Sequence, residues 1–188
     1  MKMHYMGSFD GKVANLPRAA AVPEAEVLRE HGKPRDLVRK ANIGAAVLFA
    51  VVLVLMILRA GTHAFHFGGV IAAAVLVIPR ELLRALCYRG DTVFYLRFQQ
   101  SMPFLTGPEH QSRARFLLAT LLPDLIFGVI PLVLFFIWPD LNWLGTLGLV
   151  CLPMGFGDYM LASLVLRQIP RGAMLYRQIF HTYWYLPA

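Results

Sequence analysis

The chain has few cysteines and few charged residues for its length. Of 188 residues only two are cysteines and 15% are charged, while 57% are hydrophobic. Cys87 and Cys151 both lie in apolar stretches, where a thiol usually packs as a small hydrophobic side chain, so no disulfide framework is indicated. A soluble domain of this length could not bury so much apolar surface. The composition therefore predicts an integral membrane protein.

Several other patterns are also absent from the sequence. It contains no Ser/His/Asp or Cys/His constellation and no glycine-rich phosphate-binding loop. The N-terminus does not resemble a signal peptide, because residues 1–40 are polar and are interrupted by prolines. We expect this stretch to be a cytoplasmic tail with one short helix, from Pro23 to His31, since a proline begins it and Gly32 follows it.

Residues 41–185 are predicted to form a single transmembrane domain. Four stretches have the length and apolar character of membrane spans, which need about 17–25 residues. They are approximately residues 41–58, 64–88, 114–138 and 141–166. The last two contain internal prolines and are expected to be irregular where neighbouring helices can satisfy the freed backbone groups. The predicted fold is an all-α, four-transmembrane-helix bundle.

The basic residues predict the orientation of these spans. Arginine and lysine are concentrated before the first span, between the second and third, and after the fourth, whereas the other two loops contain only Arg59. The positive-inside rule then places both termini in the cytoplasm and the protein in the inner (cytoplasmic) membrane as a multi-pass protein. The net charge of +7 is explained by contact with anionic lipid headgroups on the cytoplasmic side, without nucleic acid as a partner.

The loop between the second and third spans is predicted to form a small cytoplasmic β-hairpin. Residues 92–98 are rich in β-branched and aromatic side chains, and a second apolar stretch at 102–105 follows a polar connection. A turn is expected at residues 107–109, before the third span.

A charged cluster at the end of the second span is the most informative feature of the chain. Arg80, Glu81 and Arg84 lie within five residues of an otherwise apolar segment. Ionisable side chains are costly in a membrane, so each needs a partner or access to water. At about 1.5 Å per residue, Glu81, Asp124 and Asp158 fall at similar depths in the cytoplasmic half of three different spans. One shared polar pocket is the simplest way to satisfy all five groups.

The spacing of this cluster resembles the H-E-x-x-H helix of a zinc peptidase. The stretch 80–86 reads Arg-Glu-Leu-Leu-Arg-Ala-Leu, and the β-rich loop at 92–98, the helix start at 115–123 and the pair Gly157-Asp158 follow in order. A Leu-x-x-x-Pro-x-Gly-Ala segment at 166–173 completes the series. Over roughly residues 40–185 the chain is similar to the zincin peptidases, short bacterial membrane proteins related to site-2 intramembrane metalloproteases.

The resemblance implies a zinc site from which this chain departs. In the family, two motif histidines and a downstream aspartate would hold zinc, and the motif glutamate would be the general base. Glu81 matches the base and Asp158 matches the third ligand, but Arg80 and Arg84 occupy the histidine positions. Arginine offers no lone pair and would repel a dication, so we expect no zinc.

These residues predict a pseudoenzyme with a zincin-like membrane fold. Arg80 and Arg84 would form ion pairs with Glu81 and Asp158, and the pocket would bind a membrane protein or peptide, as in a regulator or scaffold. The structural alternative is that the arginines extend to the headgroups and the acids merely neutralise them. Two other functions stay open: an active membrane zinc metalloprotease with unusual ligands, and a small transporter or channel subunit in which Asp124 is the coupling residue.

Overall fold

A computed structural model describes residues 3–5, 19–29, 34–89, 92–97, 102–106, 109–178 and 181–187. The helices are α1 (Pro34–Ala60), α2 (Phe67–Val75), α3 (Val77–Leu86), α4 (Arg113–Asp124), α5 (Ile130–Ile137), α6 (Asn142–Met154) and α7 (Phe156–Gln168). A short 3-10 helix covers Gly61–Ala64, and a π-helical segment covers Leu125–Val129. The strands are β1 (Met3–Tyr5), β2 (Glu26–Val27), β3 (Thr92–Arg97), β4 (Met102–Thr106), β5 (Gln111–Ser112), β6 (Met174–Gln178) and β7 (His181–Tyr185).

Two helices in the described ranges are long and apolar enough to cross a membrane. They are Arg35–Ala64, and Arg113–Ile137, in which α4, the π-helical segment and α5 are continuous. The helices α6 and α7 pass the same test together, but a bend of 53° separates them, so they make a third span only if the bent pair is one. The first and third predicted spans thus correspond to helices that could span a bilayer, and the fourth is broken.

The second predicted span, residues 64–88, is not one continuous helix. It is divided at Leu76 into α2 and α3. Pro79 explains why the helix is interrupted here, because proline has no N–H to donate to the carbonyl one turn earlier. The backbone N–H of Arg80 still donates to the carbonyl of Leu76, at 2.9 Å, so the chain continues as a helix beyond the break. The predicted four-span bundle is therefore not confirmed.

The chain divides into two compact units, each described by itself. The helical unit comprises residues 31–80 and 121–161, and the mixed unit comprises residues 1–30, 81–120 and 162–188. In the helical unit, α6 packs against α1, α2 and α5. Residues 145–149 of α6 are all buried, as expected for a helix surrounded by other helices.

Apolar packing and small residues hold the helical unit together. One cluster joins Met56 of α1, Phe135 of α5 and Leu149 of α6, none of which is exposed. Gly69 of α2 lies so close to α6 that a Cβ there would meet the backbone oxygen of Trp143. Small residues at such contacts let membrane helices approach each other closely. Much of α1 still presents apolar side chains outward, which is typical of a surface covered by lipid or by another protein.

The mixed unit contains two small sheets. One has the strand order β1-β3-β4, in which β3 and β4 form the antiparallel hairpin that the sequence predicts, with Tyr95 opposite Phe104. The other has the order β2-β7-β6-β5, with β6 and β7 also paired as a hairpin. The all-α prediction was thus incomplete, because the structure is mostly helical with two small sheets.

The predicted helix from Pro23 to His31 is wrong over its described residues. Residues 23–24 form a turn, and Glu26–Val27 is the strand β2. This strand is antiparallel to β7, and the backbone N–H of Leu28 donates to the carbonyl of Thr182 at 2.8 Å. Pairing with a distant strand outweighs the local helix signals. The turn expected at residues 107–109 lies largely outside the described residues.

Candidate functional site

The candidate site begins at Arg80, a charged residue on α3 that is almost fully buried. Its residue exposure is 7%, and its guanidinium forms an ion pair with Asp124 at the end of α4, which is 1% exposed. A second nitrogen, Nη1, donates to the backbone carbonyl of Cys151 in α6 at 3.0 Å. One side chain therefore links three helices of the helical unit through charge-assisted hydrogen bonds.

The local backbone makes room for the carboxylate of Asp124. Pro123 precedes it and cannot donate the usual helical hydrogen bond, and the π-helical segment begins directly after it. Gly155, at the bend between α6 and α7, faces this carboxylate so closely that a Cβ would meet it. Glycine at this position is thus required by the packing of the ion pair.

Glu81 and Arg84 belong to the mixed unit and form their own ion pair. Arg84 Nη1 lies 3.3 Å from Glu81 Oε1, and the two side chains are 17% and 15% exposed. The pair spans three residues of the same helix, the spacing at which side chains meet on a helical surface. Glu81, which matches the general base of the resembled motif, therefore carries an adjacent positive charge from its own helix.

Asp158 lies in the first turn of α7 and is partly buried. An acidic residue at this position interacts favourably with the positive end of the helix dipole. The sequence predicted ion pairs of Arg80 and Arg84 with Glu81 and Asp158. The structure pairs Arg84 with Glu81, and it pairs Arg80 with Asp124. The sequence placed Asp124 in the same pocket by its depth and considered it as a coupling residue, but did not predict it as the partner of Arg80.

The zinc that the resemblance implies does not fit the residues present. Arg80 and Arg84 stand at both histidine positions, and a guanidinium has no lone pair to donate to a metal. The buried guanidinium of Arg80 also places a fixed positive charge against Asp124. Within the described part of the chain, no three His, Cys, Asp or Glu side chains are grouped so that they could hold a metal ion. The charged groups at this position form an ion pair.

Two histidines lie in the connection between α1 and α2. His63 lies in the 3-10 helix, and its carbonyl accepts from Asn142 at 3.3 Å. His66 precedes α2 and caps it, since its Nδ1 accepts from the backbone N–H of Gly68 at 3.1 Å. The backbone N–H of His66 in turn donates to the hydroxyl of Thr146 on α6, at 2.9 Å.

Sequence reasoning missed two contributors to the site. One is the carbonyl of Cys151, which no side-chain pattern could reveal because it belongs to the backbone. The other is Gly155, whose only signal was the Pro153-x-Gly155 break that marked the fourth span as irregular. Cys151 lies in the last turn of α6, and Gly155 follows directly after that helix, at the bend.

Comparison with known proteins supplies the family context. A family model described as "putative zincin peptidase" matches residues 73–174, more than half of the chain. The matched region includes every residue of the candidate site, from Arg80 to Asp158. No curated protein and no solved structure matches the chain.

Proposed function

Since the chain belongs to the zincin peptidase family, we propose that it is a member without peptidase activity, in which an internal ion pair stands in place of the zinc site. The observation that carries this proposal is the pair between Arg80 and Asp124. Arg80 occupies the first histidine position of the motif. Its guanidinium pairs with the carboxylate of Asp124 and donates a hydrogen bond to the carbonyl of Cys151.

The energetics of burial support this reading. A charge removed from water costs several kcal/mol unless a partner compensates it. Arg80 and Asp124 compensate each other, so neither needs a metal ion to be stable in the helical unit. A zinc ion next to two guanidinium groups would instead add repulsion between like charges.

We propose that the retained fold acts by binding, as a scaffold or regulator of a membrane protein or peptide. The exposed apolar side chains of α1 support this, since they would be covered by lipid or by a partner helix. The proposed location is the inner membrane with both termini in the cytoplasm, supported by the basic residues that flank the apolar helices. The proposed lipid partners are anionic headgroups on that side.

The alternatives from the sequence receive less support. A coupling role for Asp124 in transport would require its carboxylate to exchange protons or ions, whereas Arg80 is held against it. An active metalloprotease would require other ligands than the arginines at the motif positions.

Zinc content tests the proposal directly. Protein purified without chelators is analysed for zinc by mass spectrometry after desalting, as the natural chain and as the double variant Arg80→His/Arg84→His. We expect less than one tenth of an equivalent in the natural chain, and a clear increase in the double variant, because that variant restores the two imidazoles beside Glu81.

The chain offers a matched control for this experiment. Arg35-Asp36-Leu37-Val38-Arg39 on α1 has the same spacing as the motif, and both of its arginines are exposed. The variant Arg35→His/Arg39→His therefore introduces the same two imidazoles without the buried surroundings, and we expect it to lose zinc on desalting. One equivalent of zinc in the natural chain, abolished by Glu81→Ala or Asp158→Ala, would refute the proposal.

The proposed topology has its own test. A fluorescent protein that matures only in the cytoplasm, fused to either end of the chain, should fluoresce in cells. A fusion after Asp140, in the loop between the third and fourth predicted spans, should not. Fluorescence of the Asp140 fusion but of neither terminal fusion would show that the orientation is the opposite of the one proposed.

A further inference from the structure

A cavity in the mixed unit combines positive charge with an apolar wall. It has a volume of about 390 Å³, and its lining includes Ser112, Arg113, Leu117, Leu166 and Arg171. This volume falls in the range of small-ligand sites, about 300–1,000 Å³. Two arginines and a serine therefore line the same space as two leucines.

The charge of the cavity is of one sign. Among the described residues that line it are two arginines and no acidic side chain. Arg113 Nη2 donates to the carbonyl of Leu166 at 3.0 Å, near the end of α7. The Nε of Arg113 is buried, and within the described ranges it has no hydrogen-bond partner. Because this nitrogen is buried, an anion in the cavity would meet the terminal Nη nitrogens of Arg113, which can form charge-assisted hydrogen bonds.

The position of the cavity relates it to the membrane. Arg113 is the first residue of the apolar helix Arg113–Ile137, so the cavity lies where that helix would leave the hydrocarbon region. Leu166, on the cavity wall, is 55% exposed. An apolar chain could lie against such a surface while a charged group occupies the cavity. The positive end of α4, whose first turn begins here, adds to the attraction for an anion.

We propose that this cavity binds the phosphate headgroup of an anionic phospholipid, with Arg113 and Arg171 as its cationic contacts. Planar guanidinium groups suit phosphate oxygens because they can donate two parallel hydrogen bonds. The leucine wall distinguishes a lipid from a free phosphate ion, since it offers contact for an acyl chain and nothing for a small anion. The inference requires the membrane location proposed above but not the loss of zinc.

Native mass spectrometry of the purified full chain in detergent tests this assignment. Phosphatidylglycerol is titrated against phosphatidylcholine with the same acyl chains, and we expect phosphatidylglycerol to bind at least about fivefold more tightly because it lacks the choline cation. Arg171 is at an exposed position, and Arg171→Ala should weaken the binding of phosphatidylglycerol roughly five- to tenfold because it removes one charged contact. The binding of phosphatidylcholine should not change. Arg171→Lys should retain most of the affinity.

Arg167→Ala is the matched control. Arg167 is exposed in the last turn of α7 and is not among the residues that line the cavity. Its replacement would therefore weaken lipid binding only if the attraction were a non-specific effect of surface charge. Equal losses in Arg167→Ala and Arg171→Ala, or no loss in Arg171→Ala, would overturn the proposal. Displacement of the lipid by glycerol 3-phosphate at similar concentration would assign the site to a soluble phosphate and would equally overturn it. None of these outcomes bears on zinc content, so the two proposals fail separately.

Discussion

Replacing Arg80 with methionine should lower the free energy of unfolding markedly. Methionine keeps the length of the side chain and removes its charge, which leaves the carboxylate of Asp124 buried beside an apolar group. Breaking a buried pair by removing one partner costs about 3–5 kcal/mol. Because Asp124 is 1% exposed, water cannot restore its solvation without movement of the helices. The carbonyl of Cys151 also loses its donor.

A double-mutant cycle separates the pair from the packing of its members. The single variants are Arg80→Met and Asp124→Asn, and the double variant carries both. In the double variant no charge remains buried at the site, so its loss of stability should be smaller than the sum of the two single losses. The expected coupling energy is about 1–3 kcal/mol, as found for residues in direct contact.

Arg84→Met is the control for this cycle. It removes the same kind of side chain from the same helix, but its partner Glu81 is partly exposed and belongs to a pair at 3.3 Å. We expect a loss of about 1 kcal/mol, closer to that of a surface pair. Stability is measured as reversible unfolding in mixed micelles with increasing dodecyl sulfate. Additive losses in the cycle, or an Arg80→Met variant as stable as the natural chain, would refute the reasoning.

Three further predictions concern single positions. Gly155→Ala should destabilise the fold by about 1–3 kcal/mol, because the new methyl group would displace the carboxylate of Asp124; the same assay measures it, and no change would contradict the close packing. Gly69→Val should lower the thermal midpoint in detergent more than Gly157→Val does, since a Cβ at Gly157 meets nothing within 4 Å. Arg115→Ala should cost at most about 1 kcal/mol, and the loss should shrink in high salt, because its pair with Glu109 is partly exposed; a salt-independent loss would argue against an electrostatic origin.

The parts of the fold that the sequence predicts depend on local composition. The first and third spans follow from the length of their apolar runs, and both appear as helices that could cross a bilayer. The hairpin of β3 and β4 follows from its β-branched and aromatic residues. The family follows from the order of several short motifs between residues 80 and 173, and the family model confirms it.

The parts that the sequence missed depend on distant contacts. The helix predicted near Pro23 is a strand because Glu26 lies opposite Trp184, and no local rule contains that pairing. The aromatic residues of β6 and β7 form a hairpin in which Tyr176 stacks on Tyr183, with ring centroids 5.4 Å apart. Their composition alone does not distinguish such a hairpin from an aromatic belt at a membrane surface.

The partner of Arg80 was missed for a similar reason. Depth along a helix placed Asp124 and Asp158 at comparable levels, but depth does not say which face of a helix an acid occupies. The π-helical segment that follows Asp124 changes the rotation of the helix there, so a regular helical projection cannot predict its direction. Only the packed structure decides between the two acids.

The pairing of Arg80 with Asp124 also affects how the protein is made. A site built from histidines at these positions would need a metal ion during maturation, so the folded fraction of such a protein would depend on how much metal the cell supplies. Here the cation is part of the polypeptide and arrives with translation. Such a chain should reach its folded state in cells starved of zinc and should keep it in the presence of chelators.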